Sequence, residues 1–571
     1  MSQEHGAYGQ SDATQGDQQE QLNKQEQSRA TARTGSGEGA ASNAQSAVSG
    51  STDAKLNARR KDNKPNRKPW LWIAIAAIVV IAVVVSIVVF RQRTSGSNAQ
   101  QADTVTVGLT LAPTNLDIRN QSGSALDQVL IGNVYEGLVS RDSENKVVPS
   151  IASSWDISSD GLTYTFHLNS GMTFSNGDEL DATDVAWSIN ELIDKQYHDY
   201  NLLQNVSSVE ATDSKTVTIT LDAPYANLLW ALAGRPGLVF DADASYDAKT
   251  QAIGSGPYVV DSFEANTSIT LKANSRYWGE HKAKTPTVVV RYITDANAGL
   301  NALTSGDLQV LAPVSENLAD GLRKQSDKYT VTTGEDTDKF VLAMNQAQGR
   351  ATTDIRIRQA MRYAIDHNEL IASRGGADAP LGGPIPSLDP GYEDLTDLYP
   401  YDVDKAKQLM EEAGYTTDNP LKLTLTYPNI YSTELGDQLK SAFKEIGIDL
   451  QVNIVEFSTW LQDVYTNYDY DLSLVDHNES HDFSQWTDPT YYYGYDNSEV
   501  QDLYKQAMAA TNEKDTNTYL AQAARIVSED AAADWLFNYR ITTATAAGVE
   551  GFPVNLNQTL MPLYDVTYTR Q

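Results

Sequence analysis

The stretch Asp476 to Trp486, DHNESHDFSQW, sets His477 and His481 four residues apart among three carboxylates, Asp476, Glu479 and Asp482. The whole chain has 7 histidines and no cysteine. A metal site would require His477 and His481 to converge, which this spacing achieves on a helix and not on a strand or at a strand end. A pair of carboxylates could run acid–base hydrolysis, but the separation that chemistry requires is not set by spacing alone. The same residues could instead line a recognition loop, or form an ordinary solvated loop. Absence of cysteine removes disulfides, thiolate nucleophiles and cysteine metal ligands. No Gly-x-Ser-x-Gly elbow and no His-Glu-x-x-His stretch occurs, and GSGP at Gly254 lacks phosphate-cradle spacing and reads as a turn.

The elements around the cluster discriminate among these readings. YDYDLSLV, Tyr468 to Val475, reads as a strand running directly into it. Upstream, LKLTLTY (Leu421 to Tyr427) alternates, and a helix follows, capped near Ser432 with Leu435, Leu439, Ala442, Phe443 and Ile446 on one stripe. IDLQVNIVEF alternates again before a helix that begins after Ser458. Strand, helix, strand, helix, strand at these lengths predicts right-handed crossovers and a parallel sheet, with helices such as Asp354 to Leu370 covering its sides. The cluster then lies beyond the carboxyl end of a strand, where open α/β sheets bind ligands. That position favours a cleft-lining recognition loop over a metal site. Downstream, QWTDPTYYYGYDN supplies Trp486, Tyr491, Tyr492, Tyr493 and Tyr495, rings suited to core packing or to a cleft wall.

At 571 residues the chain is too long for one compact domain, and its formal charge of -32 argues against a nucleic-acid partner. Residues 1–68 are rich in Gln, Ser, Gly, Ala and charge, the composition of a disordered tail. Trp70 to Phe90, WLWIAIAAIVVIAVVVSIVVF, carries no charge over 21 residues and is long enough to span a bilayer. We therefore expect a transmembrane helix over about 69–91, followed by a linker over 92–102. Lys55, Arg59, Arg60, Lys61, Lys64, Arg67 and Lys68 precede the span, and only Arg91 and Arg93 follow it closely. This asymmetry predicts a cytoplasmic N-terminus and an extracytoplasmic C-terminal part. A cleavable signal peptide with a small-x-small site ending at Ala99 is the competing reading; the long apolar stretch and long preceding tail oppose it.

The remainder resembles the family 5 extracellular solute-binding proteins, the oligopeptide- and dipeptide-binding components of ABC importers. The residues that carry the resemblance are Leu116 and Asp117, NVYEGLV (Asn133 to Val139), Pro149 to Trp155, Asp160 to Leu168, Phe174 to Asp178 and Ala182 to Ser188. GSGPYVVDSFEANTSITLKANSRYW (Gly254 to Trp278), IRQAMRYAIDHNEL (Ile357 to Leu370) and YDVDKAKQLMEEAGY (Tyr401 to Tyr415) continue it in order. The resemblance implies a two-lobed α/β fold of the periplasmic-binding-protein type with an extra subdomain. Lobe 1 would cover 103–345, with the subdomain at about 145–250 and completion by 536–571; lobe 2 would cover 346–535. It implies no enzymatic activity and no cofactor: a peptide-like solute is captured between the lobes and passed to an ABC permease and its ATPase subunits. Relatives place an aspartate that pairs with the peptide's amino terminus in the segment where this chain has Ser480. Asp482 is the aspartate nearest that position, with Glu479 beside it. The ligand-binding residues expected on these grounds are Gly123, Ser124 and Ala125 from one loop and His477, Asn478, Glu479, Ser480, Asp482, Trp486 and Tyr491 from the other, with no metal ligand. The expected protein is a monomer in the cell membrane of a Gram-positive bacterium, since the lipid-bearing cysteine of Gram-positive relatives is replaced by the apolar span. A tethered hydrolase, or a binding protein for an oligosaccharide or metal chelate, remains the alternative.

Overall fold

Two long antiparallel strands, Tyr329–Met344 and Ala533–Ala546, run through the middle of the molecule in the computed structural model, which describes residues 100–121, 123–556 and 559–570. Their pairing shifts register between Glu335 and Lys339. Before the shift, Tyr329 to Glu335 pairs with Arg540 to Ala546; after it, Lys339 to Ala343 pairs with Asn538 to Ala533. Gly334 sits at the shift because a Cβ there would lie 1.9 Å from the carbonyl oxygen of Val554, closer than any side chain tolerates.

Both strands belong to one ten-stranded sheet. To one side lie Leu472–His477, then Leu421–Pro428, then Ile448–Val455 at the edge. These three run parallel, as the strand–helix–strand spacing predicts. Ser432 caps the intervening helix Thr433–Glu445 by accepting from the Glu434 amide at 3.2 Å. The next neighbour of Leu472–His477 is the crossing strand Tyr329–Met344, which is antiparallel to it, so the sheet is mixed where the sequence predicts parallel pairing. To the other side lie Val310–Leu311, Thr104–Leu109, Thr287–Tyr292, Ser268–Ala273 and Tyr258–Glu264.

The helix expected over Asp354 to Leu370 is broken into Ile355–Ala364 and His367–Ser373. Asp366 ends the first and caps the second by accepting from the Glu369 amide at 3.0 Å. A short side chain that competes for backbone N–H groups overrides a periodicity that would otherwise run on.

The buried apolar residues fall into separate clusters. Phe340, Leu425, Leu474 and Phe537 share one with the helices flanking the parallel strands. Val105, Val107, Leu130, Val288, Val290 and Leu563 share another. A third, around Phe166, Ile189, Val217 and Ile219, lies between the antiparallel sheet Ala152–Ile157, Thr163–Leu168, Thr216–Leu221, Val206–Asp213 and the helix Ala182–Lys195. Asp181 caps that helix, accepting from Thr183 N at 2.7 Å. Each such side chain contributes roughly 1.5–3 kcal/mol on burial. Among the described residues no helix is long and apolar enough to cross a membrane. The Trp70 to Phe90 segment and the 1–68 tail lie outside them.

Candidate functional site

The strand Leu472–His477 ends opposite Lys339, whose Cα pairs with that of His477. His477 Nε2 lies 2.6 Å from the Tyr493 hydroxyl and 3.2 Å from that of Tyr492. Burial, and then the Lys339 charge, push the His477 imidazole down to about 3, so it is neutral. The chain leaves the sheet here, turns through a left-handed His481 at φ 61° and enters the short helix Asp482–Trp486.

Lys339 anchors this loop from beneath. Its Nζ donates to the Glu479 carbonyl at 2.9 Å and pairs with Asp482 Oδ2 at 3.0 Å. The Asp482 oxygen also accepts from Gln485 Nε2 at 2.9 Å. Burial tends to lower the Lys339 ammonium, but Asp482 and Asp389 outweigh it and hold the lysine above its ordinary value. Burial pushes Asp482 up to about 6, with Lys339 opposing, so the pair is ionised at neutral pH.

Ser480 and His481 are gathered by Asp389, a buried aspartate from the loop 384–390. The Ser480 hydroxyl donates to Asp389 Oδ1, and the His481 amide donates to Asp389 Oδ2 at 3.0 Å. From the other side of the cleft, Asn145 Nδ2 reaches Ser480 Oγ at 2.9 Å, Asp389 Oδ1 at 3.2 Å and the Leu388 carbonyl at 3.3 Å. Arg141 Nη1 donates to the side-chain Oδ1 of Asn145 at 2.8 Å. The Trp230 ring stacks on His481 with centroids 4.5 Å apart and planes at 23°, while Arg141 lies 5.5 Å from the Trp230 centroid. Burial, then Arg141 and Lys339, push His481 down to about 3. Asp389, Asp482 and His481 also line a small pocket with Asn227, Phe483, Tyr504, Met508 and Leu520.

The loop ahead of Ser124–Leu130 is organised by Arg235. Its Nη2 donates to the Gly123 carbonyl at 2.9 Å, and its Nη1 to Gln121 at 2.5 Å and Ile118 at 3.1 Å. Its Nε pairs with Asp127 at 2.7 Å and lies 4.0 Å from Asp199. Gly123 adopts φ 97°, which side chains with a Cβ avoid, and this turn buries Ser124 and Ala125. Burial pushes Asp127 up to about 6, against the pull of Arg235. Glu479, although solvent-exposed as a residue, is pushed up to about 7 by loss of hydration around its carboxyl, then by Asp482 and Asp199. Asp199 thus acts on both loops, next to Arg235 and against Glu479.

The two aromatic candidates support the loop from behind. Trp486 is 1% exposed, stacked on Tyr493 at 4.5 Å and 11°, with Trp535 at 5.5 Å. Tyr491 packs against Tyr465, Tyr492 and Tyr493. Asn478 is half-buried on the loop. The expected residues Asn478, Glu479, Ser480 and Asp482 therefore share one loop, while His477 and Trp486 face inward from its two ends.

Sequence reasoning overlooked Lys339, Asp389, Asn145, Arg141, Trp230 and Arg235. One signal was present: EDTDKF, Glu335 to Phe340, packs charge into a strand that continues as an apolar run. Among the described residues no group of three or more His, Asp or Glu side chains is disposed to hold a metal ion.

Comparison with known proteins identifies the family and the fold. The family model described as bacterial extracellular solute-binding proteins, family 5, middle part, matches residues 146–517. The glutathione-binding protein GsiB of Pectobacterium atrosepticum is 26% identical over 490 residues, covering 81% of this chain and 94% of its own. The ABC transporter substrate-binding protein CtaP of Listeria monocytogenes superposes with a TM-score of 0.72 at 22% identity, covering 83% of this chain and 100% of its own. The unliganded open form of the periplasmic murein tripeptide-binding protein MppA superposes with a TM-score of 0.73 at 21% identity, covering 84% and 99%. These likenesses establish the two-lobed α/β binding-protein fold.

Proposed function

Because the chain belongs to the family 5 extracellular solute-binding proteins, we propose that it captures a peptide-like solute, of the size of glutathione or a short oligopeptide, and delivers it to an ABC permease. The lobes, 103–345 with 536–571 and 346–535, swing about the crossing strands Tyr329–Met344 and Ala533–Ala546. Closure around the solute, with no bond made or broken, is the whole mechanism. The single span over Trp70 to Phe90 tethers the protein, with the tail in the cytoplasm and the lobes outside; it works as a monomer.

One observation carries this reading. The loop 477–482 stands at the end of a sheet strand and faces Asn145 and Trp230 across one cleft, with the charge of Asp199, beside Arg235, acting on Glu479. The carboxylates of this loop and of the neighbouring loop 384–390 are held in ways that suit recognition more than catalysis: Asp482 by Lys339 and Gln485, Asp389 by Ser480, His481 and Asn145. A solute ammonium would meet Glu479 and Asp482. The names of the relatives, a glutathione-binding and a murein tripeptide-binding protein, support a peptide-like solute.

Calorimetric titration of the ectodomain with glutathione and with tri- and tetrapeptides tests it. Saturable binding with the probe recovered unchanged is expected, and N-acetylation should weaken it. Cleavage of a bound probe would replace this reading with the hydrolase; failure of every peptide to bind, with an oligosaccharide or metal chelate binding instead, would replace the solute class.

A further inference from the structure

The contacts of Asn145 join the two sides of the cleft directly. Asn145 lies at the tip of the hairpin Val139–Arg141, Val147–Pro149, in the left-handed region at φ 63°. Its own side holds that tip rigidly: Arg141 Nη2 donates to Thr559 Oγ1 at 2.6 Å, Asn555 Nδ2 donates to the Ser143 carbonyl at 2.9 Å, and Arg141 Nη1 orients the Asn145 amide. On the far side its NH₂ group meets three acceptors, Ser480 Oγ, Asp389 Oδ1 and Leu388 O. Trp230, from the same side as Asn145, covers His481 beside them. A second junction lies further along, where the Ala226 amide donates to the Met508 carbonyl at 2.9 Å.

We propose that Asn145, braced by Arg141 and flanked by the Trp230–His481 stack, is an internal latch that holds the lobes closed before any solute arrives. The proposal rests on the two-lobed hinge described above, but not on the identity of the solute. Bonds that exist in only one of two conformations bias the equilibrium toward it by their differential free energy. Asn145 and Asp389 are 5% and 7% exposed here. Opening would return both to water, so each bond counts only for its net worth, and the set of them shifts the closed-to-open ratio by about tenfold or more. A solute must then break or outcompete this latch to enter, which makes Asn145 a control on capture without requiring it to touch the solute.

The chain's lack of cysteine makes the test direct. Ser214→Cys and Glu411→Cys, both exposed and on opposite lobes, give two unique dye sites for energy transfer. The ectodomain is unfolded and refolded to strip co-purifying solute, then measured alone. High transfer is expected for the latched protein, falling in Asn145→Ala combined with Trp230→Ala. Asn145→Asp is the sharper variant: it keeps the size and tolerance of left-handed φ, but removes the donor and sets a carboxylate against Asp389. It should melt as a folded protein and open by at least as much. Low transfer in the latched protein itself, or unchanged transfer in a folded Asn145→Asp protein, would overturn the latch. Glutathione added to the same samples reads the solute question separately, so loss of one result leaves the other standing.

Discussion

Lys339 Nζ lies 3.0 Å from Asp482 Oδ2, with the lysine side chain 1% exposed and the aspartate 12%. A crossing strand thus supplies the cation that holds the loop 477–482, and the carboxylate nearest the position where relatives place their ammonium-binding aspartate already has an internal partner. Asp482→Ala should strand a buried ammonium and cost roughly 3–5 kcal/mol of stability. Lys339→Met with Asp482→Leu should recover much of that. Urea unfolding of the single and double variants measures it; equal losses in both would show that the ion pair is not what the single variant breaks.

Trp486 supports the loop through its stack on Tyr493. Trp486→Ala should destabilise by roughly 3–5 kcal/mol through the cavity it leaves. It should weaken free and N-acetylated peptides equally, since the ring faces the core. Calorimetry with both probes separates this from a loss at Glu479 or Asp482, which would spare the acetylated form.

Glu136 is buried and accepts from Ser255 Oγ at 2.7 Å, Tyr277 Oη at 2.9 Å and Trp278 Nε1 at 3.1 Å. Burial pushes its carboxyl up to about 7 from 4.5, against these donors. The folded state therefore binds the proton more tightly than the unfolded chain. The resulting stability is fully present below pH 4.5 and is lost as pH rises through about 7, a change of roughly 3 kcal/mol. Glu136→Gln should remove this part of the slope between pH 5 and 8 in urea titrations. An unchanged slope would assign the pH dependence to other groups.

The two histidines of the cluster have ring nitrogens engaged locally: His477 with Tyr492 and Tyr493, His481 with Ser480 at 2.8 Å. EDTA should leave both melting temperature and peptide affinity unchanged. A fall in either, restored by zinc or nickel, would return the metal reading to consideration.

The uncharged Trp70 to Phe90 span and the basic residues before it predict an uncleaved anchor. The native chain should fractionate with membranes and retain its N-terminal tail. A mature N-terminus at Gln100 would show cleavage instead.

Much was legible without coordinates. The alternation in LKLTLTY, the cap at Ser432 and the position of DHNESHDFSQW at a strand's end are local properties, written in spacings of two and of three to four residues. Family membership was legible because many short strings recur in order. The break at Asp366 was missed because a cap competes with periodicity over a few residues, and the periodic signal was the stronger one to the eye.

What sequence by itself determined was the class of fold, the loop that bears the polar cluster and the expectation of an anchor. Tertiary structure alone decided what those polar groups do. Asn145 and Ser480 are 335 residues apart, Lys339 and Glu479 are 140 apart, and Arg235 and Asp127 are 108 apart. Such pairings follow from where the crossing strands and the subdomain bring distant segments, and no local pattern encodes them. The same holds for protonation: burial sets His477 and His481 neutral and lifts Asp482 to about 6. Desolvation depends on everything packed around a group, so composition can name the charges of a cleft, and only the fold can say which of them are already spoken for.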